Sequence, residues 1–574
     1  MDPVIERLWL PRNQQPDLDA LNDFALEFKL SQLIARILAS REPSLDVARD
    51  FLNTRLADLP DPFLLPDMAA AVDRLQLALA QGEKIAIHGD YDVDGITGTV
   101  LLLDGLGSMG CEQIEYHIPL RLRDGYGLSA EAMQKAADDG VTVVVSVDCG
   151  VTAHAEASLA KECGIDLIIT DHHQPPDKLP EAFSIINPQR SDSSFPFPNL
   201  AGVGVAFFLL VALRKKLRDS GWFKQRSEPD LRNSLDLVAL GTIADLVPLK
   251  GINRTLTRHG LLLLEKGERV GVRALKQVAG VKEVSCGVVG FQMAPRLNAA
   301  GRMEDAGLGV ELLLEKDMVR GLNTARYLDQ CNRERRVIEK ETLQEAERAV
   351  AKLGAAHTHS IVLGGEGWHS GVIGIVASRL VDRYSRPTVL IALDDATGKG
   401  SCRSIRGFNL YHGLQSCADY LLAFGGHEMA AGLSVAADQL PAFAAEFEAH
   451  ARSVLSEDDL QPKLYHDGAV LLEEMDLDVL RQLEGLAPFG MGNPEPVLVV
   501  ESVHAMQVKP VGDTHLRFTA CQGAFSHPAI AFGMLDRREE FQGEVDLLVS
   551  PQINRYNGRE SVQLRIKDVR PAQK

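Results

Sequence analysis

The segment Lys84-Ile-Ala-Ile-His88-Gly-Asp90-Tyr-Asp92-Val-Asp94-Gly95 limits what this chain can fold into more than any other stretch. An apolar strand runs straight into a loop that holds one imidazole and three carboxylates. Left to themselves, the carboxylates repel one another and raise each other's pKa. A strongly cationic guest resolves the conflict, and hard divalent ions such as Mn²⁺ or Mg²⁺ suit oxygen ligands with some imidazole. Two further segments repeat the theme. Val143-Val-Val-Ser-Val-Asp148-Cys149-Gly150 is a second strand ending in an acid, and Asp166-Leu-Ile-Ile-Thr170-Asp171-His172-His173 is a third, ending in Asp-His-His.

These segments belong to a regular alternation. Strands fit at roughly 84–88, 114–118, 141–147, 165–170 and 184–187, and helices at about 67–81, 95–108, 129–138, 153–162 and 202–218. Such alternation predicts an α/β fold with a parallel sheet covered on both faces. Ligands of open α/β sheets bind at the carboxyl ends of the strands. That edge collects His88, Asp90, Asp92, Asp94, Asp148 and His172 as candidate metal ligands. Asp245, in Gly241-Thr-Ile-Ala-Asp245-Leu-Val-Pro248, has two readings that stay open: a ligand bridging two ions, or a capping or turn acid. With two ions ~3.5–4 Å apart, a bridging water would be deprotonated and attack phosphorus in line. His173, beside Asp171, could donate a proton to a phosphate oxygen or to the leaving group.

At 574 residues the chain exceeds what one core can organise. The first seventy residues read as short helices, with Leu21, Phe24, Ala25 and Phe28 at helical spacing. Residues 250–315 are mostly helical. From Leu322 to Leu353 a polar helical pattern runs without Gly or Pro, and a helix over 318–353 would span ~50 Å as a connector. A second α/β unit starts at His359-Ser-Ile-Val-Leu-Gly364 and ends near 455. The tail alternates like strands at Ala469-Val-Leu-Leu, Val497-Leu-Val-Val, Leu516-Arg-Phe-Thr, Ala529-Ile-Ala-Phe, Val545-Asp-Leu-Leu-Val-Ser and Val562-Gln-Leu-Arg-Ile, which predicts a small barrel.

Composition narrows the function classes. No apolar run is long enough to cross a bilayer, and Met1-Asp-Pro-Val-Ile-Glu-Arg does not read as a secretory signal. The eight cysteines show no Cys-x-x-Cys spacing, which argues against zinc ribbons and disulfide frameworks and for a reduced cytoplasm. The net charge of −19 taken alone argues against a polyanionic partner. Local clusters matter more than the total, and Arg320, Arg326, Arg333, Arg335, Arg336 and Lys340 form one.

His-x3-Asp-x-Asp, a strand-ending Asp and Asp-His-His together resemble the DHH phosphoesterase superfamily. Further segments resemble its RecJ branch, the bacterial exonucleases specific for single strands. They include Ile118-Pro-Leu-Arg121, Ala201-Gly-Val-Gly204, Gly241-Thr-Ile-Ala-Asp245, Ala294-Pro-Arg296-Leu-Asn298-Ala-Ala-Gly301-Arg302, Gly367-Trp-His369-Ser-Gly371-Val-Ile-Gly374, Gly400-Ser401-Cys-Arg403-Ser404, Gly425-Gly426-His427 and Ala487-Pro488-Phe489-Gly490-Met-Gly-Asn493-Pro494. The resemblance implies five regions: an N-terminal helical segment (1–66), a DHH phosphoesterase domain (67–250), a helical region with the connector helix (251–353), a DHH-associated domain (354–455) and an OB-like barrel (463–574). It implies Asp92, Asp94, Asp148, His172 and Asp245 as metal ligands, His88 as the superfamily's first histidine, Asp90 in the same acidic loop, and His173 on the substrate phosphate next to Asp171.

The resemblance further implies 5′-to-3′ exonuclease action on single-stranded DNA, releasing 5′-mononucleotides with two Mn²⁺ or Mg²⁺ ions, in recombination and repair. A single-strand-binding protein and a RecQ-type helicase are the partners it implies. Arginine suits phosphate because its planar fork binds in bidentate fashion. Arg121, Arg296, Arg302 and Arg403 are placed in Gly- or Asn-rich loops, with Asn298 and Ser401 beside them, and Arg296, Ser401 and Arg403 are expected to grip a terminal 5′-phosphate. Gly425-Gly-His427 is expected to open a helix whose free N–H groups face the anion. Tyr126, Phe489 and Tyr556 are candidate stacking platforms. A rival reading, a DHH enzyme on oligoribonucleotides or cyclic dinucleotides, leaves the long connector and the barrel without a use.

Overall fold

Ile85, Ile87, Val143, Val145 and Ile168 are β-branched residues with no measurable exposure, the signature of strands covered on both faces. They belong to β1 (Ile85–Gly89), β2 (Ile114–His117), β3 (Val143–Val147), β4 (Asp166–Thr170) and β5 (Ser184–Ile186). These pair in the order β2-β1-β3-β4-β5, and all neighbours are parallel. Because every strand points the same way, residues 90–94, 148 and 171 leave the sheet on one edge. The chain reverses its direction across the sheet at β1, and the acidic loop stands at that reversal. Crossover helices run over Val93–Ser108, Ala130–Asp138 and His154–Glu162, flanked by Met68–Gln81 before the first strand and Gly202–Asp219 after the last, as the alternation predicts.

The computed structural model describes residues 7–14, 16–120, 127–303, 305–354 and 358–572. The chain forms two units, one of Pro11–Gly301, Asp305–Arg326 and Tyr465–Lys574, the other of Met1–Leu10, Arg302–Glu304 and Tyr327–Leu464. The first contains the parallel sheet, a set of helices after residue 230, and a closed barrel. Around the barrel the strands are Leu498–Val511, His515–Gln522, Phe525–Ala531, Arg559–Pro571 and Glu544–Tyr556. Ala469-Val-Leu-Leu is not one of them. It makes a single bridge from Ala469 to Val499 and then turns into a 3₁₀ segment at Leu472–Glu474.

The N-terminal helices Leu18–Phe28, Gln32–Arg41 and Leu45–Leu52 do not build a core of their own. Phe24, Ile34, Ile37 and Leu38 share one with Leu480, Leu498, Phe518, Leu547 and Ile566 of the C-terminal part. Helices this short, each with one apolar face, are marginal unless that face is covered. Arg254 seals the junction. Its guanidinium is buried, donates to Phe51 O at 2.8 Å and Leu486 O at 2.9 Å, and lies 3.7 Å from the Phe51 ring.

The 36-residue helix Met318–Leu353 is the connector that the polar pattern predicts, ~54 Å long at 1.5 Å per residue. Its basic cluster is partly neutralised within the helix. Arg335 is buried and donates to Glu339 at 2.8 Å, and Arg333 pairs with Asp329 at 3.3 Å. The second unit holds a five-stranded sheet. Ile361–Glu366 and Thr388–Asp394 are parallel; Thr397–Arg403, Ala430–Ala436 and Ala423–Gly426 continue it antiparallel. Gly425-Gly-His427 therefore ends a strand and enters a hairpin rather than opening a helix. Gly426 (φ +140°) packs so closely on Ala431 that only glycine fits, and His427 N–H donates to Ala430 O. Among the described residues no helix is long and apolar enough to cross a membrane, and the eight cysteines are free thiols.

Candidate metal centre

Each acid is aimed by its local backbone. Asp92 caps the helix Val93–Ser108, its Oδ1 accepting from Asp94 N–H at 2.8 Å and Gly95 N–H at 3.1 Å. Asp94, on the first turn, accepts from Gly202 N–H at 2.6 Å and Val203 N–H at 2.9 Å. Those N–H groups open the helix Gly202–Asp219, the end that favours an anion. Asp148 leaves β3 with φ +63°, a left-handed conformation that is uncommon for a non-glycine residue but that Asp tolerates better than most. A Cβ on Gly202 would stand 2.7 Å from Asp148 Cβ, so glycine is what lets this helix start reach both acids. Asp245 is the C-cap of the helix Leu235–Ala244.

The side chains converge in three groups whose ligand atoms lie within 4.8 Å of one another: Asp90, Asp92 and Asp148; Asp94, His172 and Asp245; and Asp148, His172 and His173. His172 Nε2 stands 3.1 Å from Asp148 Oδ1, 3.5 Å from Asp245 Oδ2 and 4.0 Å from Asp94 Oδ2. That nitrogen is buried and makes no hydrogen bond, while the ring also bonds the Leu200 backbone. A ring fixed on one side with a lone pair aimed among carboxylates is the usual posture of a metal-ligating histidine. Burial first, and then the charges of Asp94 and Asp92, push Asp245 up to about 9. Burial and Asp92 push Asp94 up to about 7, and burial with Asp94 raises Asp148 well above its ordinary value. Burial lowers His172 to about 4, leaving it neutral. Buried acids crowded around a neutral imidazole fit hard divalent cations.

Asp171 serves its neighbours. Its Oδ1 accepts from His172 N–H at 2.7 Å, His173 N–H at 3.1 Å and His173 Nδ1 at 2.7 Å, and its Oδ2 from Val151 N–H at 2.9 Å. Burial opposes charge on His173, but the Asp171 bond and the charges of Asp171, Asp245 and Asp94 outweigh it and raise the ring to about 9. Asn187 Nδ2 donates to His173 O at 2.8 Å and Gln189 Nε2 to His172 O. Sequence reading missed both, since nothing in their surroundings marks them. His88 stands outside the three groups. Its Nε2 lies 3.1 Å from Gly127 O, its ring 4.9 Å from that of His117, and burial lowers it to about 3.

Arg121 and Tyr126 lie outside the described residues. Arg296 and Arg302 are on the helix Ala294–Met303, not in a loop: it continues the helical run from Cys286 through the π-helical turn Val289–Met293, and Gly301 lets the helix close on the acidic loop, where a Cβ would stand 2.8 Å from Tyr91 O. Asn298 faces that loop too, its Oδ1 accepting from Val93 N–H at 3.1 Å. Arg296 donates to Gln292 O. The metal set and Asn298 belong to the first unit; Arg302, Ser401, Arg403 and His427 belong to the second. There Arg302 Nη1 donates to Gly371 O at 2.9 Å, and Arg403 Nη1 to Ser401 Oγ at 3.2 Å and Cys402 O at 2.8 Å. Ser401 and Arg403 lie against Gly374 in the first turns of the helix Ser370–Tyr384. Phe489 packs on the barrel core, and Tyr556 is 70% exposed.

Comparison with known proteins places this geometry. Residues 84–242, 353–453 and 466–568 match the family profiles described as DHH family, N-terminal domain; DHHA1 domain; and RecJ OB domain. The single-stranded-DNA-specific exonuclease RecJ of Bacillus subtilis (strain 168) is 38% identical over 564 residues, 97% of this chain and 70% of that one. That of Escherichia coli (strain K12) is 38% identical over 565 residues, 95% of this chain and 97% of that one. The crystal structure of RecJ in complex with Mn²⁺ from Thermus thermophilus aligns with a TM-score of 0.82 at 29% identity, covering 99% of this chain and 80% of that one. Likeness of this depth, carried through the sheet, the second unit and the barrel alike, establishes that the chain belongs to the RecJ family.

Proposed function

We propose that this chain is a metal-dependent exonuclease that degrades single-stranded DNA from the 5′ end to 5′-mononucleotides. The observation that carries the reading is the convergence on His172 Nε2 of Asp94, Asp148 and Asp245, acids from separate segments of the chain. Asp90, Asp92 and Asp148 would hold one Mn²⁺ or Mg²⁺ ion, and Asp94, His172 and Asp245 a second. Such ions supply charge neutralisation at the scissile phosphate and a water acidic enough to ionise near neutral pH.

The chain's own residues do the rest. Asp171 fixes His173 with its Nδ1 engaged, so that the opposite nitrogen can offer a proton to a phosphate oxygen. Asn298 holds the start of the helix that bears Asp92 and Asp94 in place. Arg296, Arg302, Ser401, Arg403 and His427 are assigned to the strand, with Arg296, Ser401 and Arg403 on the terminal phosphate. His88, in the place of the superfamily's first histidine, is kept as a candidate member of the metal set. The cellular setting that fits is the cytoplasm, in recombination and repair, with a single-strand-binding protein and a RecQ-type helicase as partners.

The test is digestion of 5′- and 3′-labelled single and double strands with Mn²⁺, with Mg²⁺ and with chelator. Expected is loss of single strands only, with the 5′ label released first as a mononucleotide and no reaction in chelator. Release from the 3′ end, cleavage of dimers alone, or activity without metal overturns the proposal.

A further inference from the structure

Two non-glycine residues at the metal centre adopt left-handed backbone. Asp148 uses it to turn its carboxylate inward. Leu246, the residue after the C-cap Asp245, has φ +61°, the left-handed turn that ends many helices but is usually taken by glycine. The conformation costs a leucine about 1–2 kcal/mol, and packing does not offset it, because the side chain is 64% exposed.

The turn that follows is pinned on both sides. Pro248 O accepts from Asn253 Nδ2 at 3.1 Å, and Leu249 N–H donates to Met491 O at 2.7 Å. Gly490 and Gly492 approach so closely that a Cβ would stand 2.7 Å from Leu249 Cδ1 and 3.0 Å from Pro248 Cβ. Asn493 Nδ2 donates to Leu486 O at 2.9 Å and Pro488 O at 2.8 Å, while its Oδ1 accepts from Arg41 at 2.9 Å. Within this fixed double loop Met491 is 54% exposed. A few residues on, the chain enters the barrel strand Leu498–Val511. Two exposed apolar side chains thus stand on pinned backbone between an acid of the metal set and the barrel.

We infer that Leu246 and Met491 form an apolar step on which the bases of a single DNA strand rest on their way from the barrel to the metal set. The inference rests on the nuclease reading and adds to it a surface for the bases. A strand whose phosphates are drawn to cations must place its bases elsewhere, and their faces are apolar. In a duplex those faces are hidden by stacking, so the same step favours single strands. The strand, not a protein segment, is the occupant because the step continues directly from Asp245 at one end and leads to the barrel at the other.

The test compares wild type with Leu246→Gly, Leu246→Met and Met491→Ala on a 5′-phosphorylated 20-mer of thymidine in Mn²⁺. Leu262→Ala, an exposed helix position elsewhere, is the control. Expected is a KM raised by about tenfold for Leu246→Gly, the scale of one base contact, with a smaller rise for Met491→Ala and recovery by Leu246→Met. Glycine accepts positive φ without strain, so Leu246→Gly should melt no lower than wild type, and its Mn²⁺ binding isotherm should be unchanged. An unchanged KM overturns the inference, and so does a drop in melting temperature that accounts for the lost activity. Wild type that fails to degrade the 20-mer sinks the nuclease reading instead, which keeps the two failures apart.

Discussion

Two of the places where the first unit buries charge do so in opposite ways. At the sheet edge Asp94, Asp148 and Asp245 crowd around a neutral His172, and their acidities are pushed toward the protonated form. At Arg254 one guanidinium meets the carbonyls of Phe51 and Leu486 and the face of the Phe51 ring. The second arrangement is complete with the chain's own atoms; the first is not. A buried charge that its own protein satisfies belongs to the architecture. Like charges buried together mark a place that receives something from outside.

The sharpest way to break the comparison is Asp148→Asn. Asparagine keeps the shape and tolerates left-handed backbone, so the fold should survive. Loss of several kcal/mol of transition-state charge stabilisation should lower turnover by about 10³-fold or more. The metal-free protein should melt higher than wild type, because folding no longer has to protonate a buried acid that is ionised in the unfolded chain. A variant that loses activity and stability together would show that the acids support the fold as Arg254 does. Arg254→Met should do the reverse. It strands buried carbonyls and should remove roughly 2–5 kcal/mol of stability by urea unfolding, while activity per folded molecule at low temperature stays at the wild-type level. Asp171→Asn falls between them. It weakens the hold on His173 without touching the clustered acids, so the rate should drop by about 10- to 100-fold with Mn²⁺ affinity kept within a few-fold. A large loss of Mn²⁺ binding would instead place Asp171 among the ligands.

The same contrast explains what could be read from the chain alone. Acids at strand ends are legible because a parallel sheet carries them to one edge whatever the loops do, and Asp90, Asp92, Asp94, Asp148 and His172 follow from that rule. Asp245 resisted it, since it ends a helix and its partners are far away in sequence. Arg296 and Arg302 were misplaced because a Gly- and Asn-rich stretch reads as a loop, yet here glycine serves close helix packing. The hairpin at His427 was misread for a related reason: Gly-Gly marks a sharp turn but does not say which element follows. Invisible altogether were contacts across great sequence distance. Asn298 on Val93 N–H is one. The core shared by the N-terminal helices and the barrel is another, since amphipathic spacing shows that a face is covered but not by what.

The smallest effect bears most directly on the incomplete charge. Without metal, Asp94 at about 7, Asp245 at about 9 and Asp148, raised well above its ordinary value, hold protons in the folded chain that the unfolded chain, titrating near 4, has already released. Stability of the metal-free protein must then fall as pH rises, by up to about 1.4 kcal/mol per pH unit for each group titrating. His88 at about 3 and His172 at about 4 act oppositely, adding stability as pH rises toward 6.5. Their contribution is complete by pH 7. His173, raised to about 9, loses its stabilising proton as pH climbs from 7 to 9 and so adds to the fall. From pH 7 to 8 the acids and His173 therefore dominate, all acting in one direction, before the thiols of Cys149, Cys286 and Cys402, raised by burial, add to the fall and Arg254, lowered by burial to about 9, opposes it. Urea unfolding at pH 7, 8 and 9 in chelator should show a declining free energy. Saturating Mg²⁺ should cancel the decline, because bound cations favour the ionised carboxylates. Asp245→Asn should flatten the chelator series, while Arg254→Met should shift it down without changing its slope between pH 7 and 8, below the range where Arg254 itself titrates. A flat wild-type profile in chelator would mean that the acids are already compensated within the chain, and the distinction between the two buried charges would be lost.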